Sequence, residues 1–189
     1  MKYFFCISCC TFIFFSFSKC TFALSAKDVV QKYCKLDYDG ATLSSHNFNK
    51  ISNLLDLEEI QDSGWDTVDI ILNFDIVDND RNDNTVSVKY DVIGTIEGSG
   101  EFIQKNILCI VDYILVKKNN VWKIQNRSYP RISVNTAIDH LSKLLSLEQD
   151  EKRAKVLKVS IKRLKKETIK IRSTPCTIQK CIRGKNEAG

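Results

Sequence analysis

Two stretches of alternating apolar and polar residues decide the fold: residues 68–76 are VDIILNFDI, and residues 86–92 are VSVKYDV. The apolar side chains of both stretches fall mostly on even positions. Because successive side chains of a β-strand point to opposite faces, each stretch predicts a strand that is buried on one face. A polar connector at residues 78–84 joins them, so together they predict a hairpin or meander of an antiparallel sheet.

Two more strands are predicted downstream. Residues 107–116 are apolar at almost every position, which is typical of a strand covered on both faces. A turn at residues 117–120 leads into a last strand from Val121 to Tyr129, which Pro130 ends. The closely spaced glycines after the second strand predict a bulge followed by a turn; they are Gly94, Gly98 and Gly100.

Helical periodicity predicts three helices beside this sheet. Apolar residues share one helical stripe over residues 26–36, and a second helical stretch covers about residues 43–57. A third helix follows Ser133, a serine suited to cap it, and its apolar face can close one side of the sheet. The sequence therefore predicts an α+β domain over residues 26–147, with helices packed on a curved antiparallel sheet.

The N-terminal 25 residues have the layout of a secretory signal. Lys2 precedes an apolar run from Tyr3 to Phe17, and small and polar residues follow it up to Ala26. This order predicts export to the periplasm or the exterior, with cleavage after Ser25 or Ala26. Two alternatives are an uncleaved membrane anchor, for which the run is short, and a lipoprotein processed at Cys20.

Charge divides the chain into two parts. The net charge is +5, but residues 146–189 hold 13 basic and 5 acidic residues, whereas residues 27–145 hold 13 and 18. The acidic balance of the folded part argues against a core that binds nucleic acid. The extension at residues 148–189 admits two interpretations: a helix that lies on an anionic membrane surface, or a solvated and partly disordered tail.

No metal or cofactor site is predicted. His46 and His140 are the only histidines, and Cys176 with Cys181 supplies at most half of a zinc site. The glycines after the second strand lack the Lys-Ser/Thr pair of a phosphate loop. Cys34 and Cys109, the other cysteines of the expected mature chain, lie among apolar neighbours and predict two small buried thiols.

Several short motifs together carry a family resemblance. Residues 34–41 are CKLDYDGA, residues 64–66 are GWD, and residues 90–94 are YDVIG; WKI at 122–124 and PRIS at 130–133 follow. As a set, over residues 26 to about 146, they resemble exported bacterial proteins of the nuclear transport factor two-like superfamily. The resemblance implies a cone-shaped α+β barrel with a cavity at its wide end, and often a homodimer through the sheet face. Relatives often carry Arg where this chain has Thr42.

The superfamily contains enzymes similar to ketosteroid isomerase and the SnoaL-like cyclases, as well as binding modules. An isomerase-like site needs a carboxylate, which Asp37, Asp39 or Asp91 could supply, and a hydrogen-bond donor such as Tyr38 or Tyr90. Strand alternation places Tyr90 and Asp91 on opposite faces, which favours a non-catalytic binding or accessory domain. The partner is then a small molecule or a protein, and the isomerase or cyclase remains the alternative. The candidate binding residues are Asp37, Tyr38, Trp65, Tyr90, Asp91, Arg127 and Arg131.

Overall fold

The computed structural model describes residues 24–56, 66–77, 84–126 and 129–173, except for the side chains of 45–46 and 171–173. Within these ranges the chain forms an α+β fold in which helices flank one strongly curled sheet. The elements in chain order are α1 (Ala26–Tyr38), α2 (Ser45–Ser52), β1 (Thr67–Val77), β2 (Thr85–Glu97), β3 (Phe102–Lys118), β4 (Val121–Ile124), β5 (Arg131–Ser133), α3 (Val134–Leu147) and α4 (Glu151–Ser173).

The five strands lie in the order β4-β3-β2-β1-β5. β1 to β4 form the predicted antiparallel meander, and a tight turn at Asn119 and Asn120, both with positive φ, joins β3 to β4. The prediction of a single last strand from Val121 to Tyr129 is wrong. β4 ends at Ile124, and the chain crosses to the far edge, where β5 runs parallel to β1. The sheet is therefore mixed, because the strand partners of this segment cannot be inferred from its own periodicity.

Helices α1 and α2 cover the concave face of the sheet. Val30 and Tyr33 of α1 and Ile51 of α2 pack against the inward side chains of β2 and β3, among them Val88 and Tyr113. All five of these side chains are fully buried. Within the described ranges, aliphatic and aromatic side chains pack together on this part of the concave face.

The ends of the helices follow the expected capping chemistry. Ser25 forms a capping box with Asp28, and Ser133 accepts a hydrogen bond from the backbone N–H of Thr136. Gly40, with φ +89°, ends the segment after α1 in a conformation that favours glycine. A chain cleaved after Ser25 or Ala26 would begin without the cap of α1.

Helices α3 and α4 cover the convex face at one end of the sheet only. Leu141 of α3 and Leu157 and Leu164 of α4 are fully buried against Ile70 and Phe102. The backbone N–H of Phe102 also donates to Ser160 Oγ over 2.9 Å. The fold therefore continues past residue 147, the expected end of the domain, and the apolar stripe of α4 lies in the core.

The prediction that β3 is covered on both faces is wrong. On its convex face Leu108, Ile110 and Ile114 are 66%, 65% and 47% exposed, and Val121 of β4 is 52% exposed. The reason is that α3 and α4 pack at the opposite end, near Phe102. Within the described ranges, this part of the convex face has no helix over it.

Among the described helices, none combines the length and the apolar character that a membrane-spanning helix needs.

Candidate functional site

The structure brings three of the seven candidate binding residues together beneath α1. Asp37, Tyr90 and Arg131 are all less than 5% exposed and lie in or beside the core of the concave face. Trp65 and Arg127 lie outside the described residues. Tyr38 and Asp91 lie elsewhere on the fold.

Asp37 joins the end of α1 to the beginning of β5. One carboxylate oxygen accepts a hydrogen bond from the hydroxyl of Thr42, and the other accepts from the backbone N–H of Arg131 over 2.9 Å. Its own carbonyl oxygen accepts from the N–H of Gly40. The hydroxyl of Thr42 thus orients a buried carboxylate.

Tyr90 lies at the centre of a chain of three polar groups. Its hydroxyl is 3.0 Å from the sulfur of Cys34 and 2.8 Å from the hydroxyl of Tyr113. The ring of Tyr33 contacts Tyr113 edge to face, with centroids 5.6 Å apart. The Tyr90 hydroxyl is therefore engaged by side chains on α1 and β3.

Arg131 is a buried cation that contacts three neighbouring residues. Its guanidinium carbon lies 4.7 Å from the centroid of the Tyr90 ring, and its Nε lies 3.7 Å from a carboxylate oxygen of Asp69 on β1. Nη1 donates to the backbone oxygen of Tyr129 over 3.2 Å. Neighbouring protein groups therefore surround the guanidinium of this candidate binding residue, which is only 4% exposed.

Burial controls the protonation of this cluster. Loss of hydration raises the pKa of Cys34 to about 12, and it also raises the pKa of Tyr90 and of Tyr113 above the ordinary 10.0. Burial lowers the pKa of Arg131, but Tyr113, Tyr90 and Asp69 outweigh that effect and the net shift is upward. At neutral pH the cluster therefore holds a neutral thiol, neutral phenols and a charged guanidinium, and the Cys34 thiol is a poor nucleophile.

The other two described candidates occupy different places. The hydroxyl of Tyr38 donates to the backbone oxygen of Leu72 over 3.1 Å, which ties α1 to β1. Asp91 is half-buried on the convex face, opposite Leu108 in the β2–β3 register, as the alternation predicts. Tyr90 and Asp91 consequently cannot act on one substrate from the same side of the sheet.

Sequence reasoning missed four members of the cluster: Cys34 as a partner of Tyr90, and Thr42, Asp69 and Tyr113. Tyr113 stands at an inward position of β3, so strand parity alone could have placed it on the concave face. The pairing with Cys34 could not have been found, because it spans 56 residues of sequence. In the described part of the chain no group of three or more His, Cys, Asp or Glu side chains could hold a metal ion.

Among the described residues, two surfaces lie outside the cluster and have a distinct composition. The first is the open sheet face, defined as Leu108, Ile110, Ile114 and Val121 on the convex side of β3 and β4. The second is the basic face of α4, where exposed Lys and Arg outnumber the acidic residues Glu151 and Glu167. The exposed basic residues are Lys152, Arg153, Lys155, Lys158, Lys162, Arg163, Lys165, Lys166 and Lys170.

Comparisons with protein-family models, with curated proteins and with solved structures found no match.

The raised pKa values predict a loss of stability in alkali. Because the folded pKa of Cys34 exceeds its ordinary 9.0, its contribution is fully present below pH 9 and is lost as the pH rises toward 12. We expect the free energy of unfolding, measured in urea, to fall by about 1 kcal/mol per pH unit above pH 9 from this group alone. The Cys34→Ala variant should show a shallower decline between pH 9 and 10. Parallel pH profiles for the two proteins would contradict the assignment.

Proposed function

We propose that the chain is an exported, non-catalytic accessory domain of the nuclear transport factor two-like type that binds protein through the open sheet face. The partner that we propose for this face is a second copy of the same chain. The observation that carries the proposal is the exposure of four large apolar side chains on adjacent strands of one face. Large apolar patches that a soluble protein leaves exposed usually mark an interaction site.

The side-chain contacts of the buried cluster support the non-catalytic part of the proposal. A ketosteroid-isomerase-like or SnoaL-like enzyme, the alternative function, needs a carboxylate and a donor that meet in an open apolar cavity. Here Tyr90 contacts Cys34 and Tyr113, and the carboxylate of Asp37 is engaged by Thr42 and by the backbone of Arg131. These contacts are those of a structural cluster that joins α1, β2, β3 and β5.

Charge favours a second copy as the occupant of the open sheet face. In the β2–β3 register Asp91 lies opposite Leu108, and Lys89 lies opposite Ile110. Directly opposed residues of neighbouring strands share a face, so both signs of charge border the apolar patch. A copy related by a two-fold axis can set Lys89 of one chain against Asp91 of the other while the apolar residues meet. Asp91, a candidate binding residue, is then a border residue of the interface.

Sedimentation velocity tests the proposal. We expect the chain from residue 24 onward to show a concentration-dependent dimer, and Ile110→Lys to weaken association at least tenfold because it places an ammonium in the apolar centre. The matched control is Ile169→Lys on α4, whose wild-type side chain is 67% exposed and lies outside the open sheet face. An Ile110→Lys protein that dimerises like the control would contradict the proposal.

The basic face of α4 favours a second contact, with an anionic membrane surface. Because Leu157 and Leu164 are buried in the core, insertion of the apolar stripe into lipid is not available to the folded protein. The contact we propose is therefore electrostatic and shallow, unlike that of an interfacial amphipathic helix. Screening over about 8 Å at physiological ionic strength should weaken it strongly.

Vesicle co-sedimentation measures this contact. We expect the chain to bind phosphatidylglycerol vesicles at low salt and to lose at least tenfold in affinity on moving to physiological salt. The triple variant Lys158→Gln, Lys162→Gln, Lys166→Gln should bind at least tenfold more weakly at low salt. The control carries Lys32→Gln, Lys35→Gln and Lys50→Gln, three exposed lysines of α1 and α2. Equal losses in the two variants would show that net charge, and not α4, determines binding.

A further inference from the structure

A small pocket lies between α3 and the end of β2, away from the open sheet face and from the buried cluster. Its volume is about 110 Å³. Apolar side chains make most of its wall, and they are Leu43, Val68, Ile96, Ile132, Leu141 and Leu144. Ile96, Ile132 and Leu141 are buried, so the inner wall is a fixed part of the core.

Two glycines leave the space open. Gly98 and Gly100 line the pocket within the turn between β2 and β3, and neither contributes a side chain. At Gly100 the backbone has φ +84° and a Cβ would lie 2.3 Å from Leu157, so this glycine is required by the fold. At Gly98 the nearest atom to an added Cβ is the backbone oxygen of Asp66 at 3.8 Å. The space around Gly98 therefore accommodates a side chain, and a larger residue at this position of the wall is expected to reduce the volume of the pocket.

The polar groups of the wall are few. His140, half-buried on α3, and Glu97, exposed at the end of β2, line the same pocket. Burial and the nearby Lys143 lower the pKa of His140, so its ring is neutral at neutral pH and can both donate and accept a hydrogen bond. The Glu97 carboxylate disfavours an anionic group beside it. An apolar cavity with one or two convergent polar groups is the usual form of a small-molecule site.

We propose that this pocket binds the end of a short aliphatic chain that carries an uncharged hydroxyl group, with the chain against Leu141 and Ile132 and the hydroxyl at His140. The volume admits roughly four non-hydrogen atoms when each takes the share of a water molecule in the liquid, about 30 Å³, so a longer alcohol enters by its hydroxyl end and the remaining carbons lie outside the pocket. Drug-sized ligands need several hundred Å³ and are excluded. An alkanoate is disfavoured because its charge would lie beside Glu97.

Methyl NMR tests the site with hexan-1-ol as the probe. In protein labelled at the Ile, Leu and Val methyls, we expect saturable shifts at Ile96, Ile132 and Leu141, and none at Ile110 and Ile114 of the open sheet face. Hexanoate should bind at least fivefold more weakly, and Glu97→Gln should remove most of that difference. Shifts of equal size on the open sheet face, or equal affinity for hexanol and hexanoate, would overturn the proposal.

Two substitutions of different size at Gly98 test whether hexan-1-ol binds in this pocket. Gly98→Leu should weaken hexanol binding at least tenfold, whereas Gly98→Ala, which adds one methyl, should stay within about threefold of wild type. Leu144→Phe fills the same space from α3 and replaces Gly98→Leu if that protein does not fold. Unchanged hexanol affinity in a folded filled variant would show that the probe binds elsewhere.

Discussion

A chain that ends at residue 147 should not fold cooperatively. Removal of α4 exposes the side of Phe102 and Leu141 that Leu157 and Leu164 cover. It also leaves the backbone N–H of Phe102 without Ser160. Each large apolar side chain that is buried contributes about 2 kcal/mol or more, and small domains have only about 5–15 kcal/mol of stability in total.

Thermal unfolding followed by circular dichroism and calorimetry measures this effect. Point variants test the packing of α4 without removing the helix. Leu157→Ala should lower the free energy of unfolding by about 3 kcal/mol. Val159→Ala, at an exposed neighbour on the same helix, should change it by less than about 0.5 kcal/mol. A truncated chain with a melting transition like that of the full chain would show that folding does not require α4.

Asp37→Ala should be the most damaging single substitution in the buried cluster. It removes the acceptor for the hydroxyl of Thr42 and for the backbone N–H of Arg131. Each buried donor that loses its acceptor costs about 1–3 kcal/mol, so we expect a loss of about 2–5 kcal/mol. Asp37→Asn keeps one acceptor oxygen and should cost less.

Urea unfolding of Asp37→Ala beside Asp39→Ala tests that expectation. The two aspartates lie two positions apart at the end of α1, but the side chain of Asp39 is 55% exposed and pairs only with Lys35 among the contacts seen. Asp39→Ala should change the free energy of unfolding by less than about 1 kcal/mol. Similar values for the two variants would mean that the cluster around Asp37 does not hold α1 to β5.

The alternating strands and the helix caps could be predicted from the sequence because they depend on local chemistry. The period-two pattern predicted β1 and β2, and a serine before an apolar helical stripe predicted the start of α3 at Ser133. The resemblance added the arrangement of helices around a curled sheet, which the structure shows at the level of an α+β fold.

The remaining features depend on which segments meet. The apolar run of β3 is compatible with a strand covered on both faces and with one that is open on one face, and only the position of α3 and α4 distinguishes these cases. The stripe of Leu157, Ile161 and Leu164 has the same spacing whether it packs on lipid or on a protein core. Likewise, the contact of Tyr90 with Tyr113 depends on the register of two strands across 23 residues of sequence.

The measurement that tests the central claim most directly is an isotope-filtered nuclear Overhauser experiment on a mixture of methyl-labelled and unlabelled chains. It detects contacts between two copies and assigns them to individual methyl groups. We predict intermolecular contacts at Leu108, Ile110 and Ile114, and none at Val159 or Ile169 of α4. Intermolecular contacts confined to α4, or none at any methyl of the open sheet face at millimolar concentration, would contradict a binding domain that works through this face.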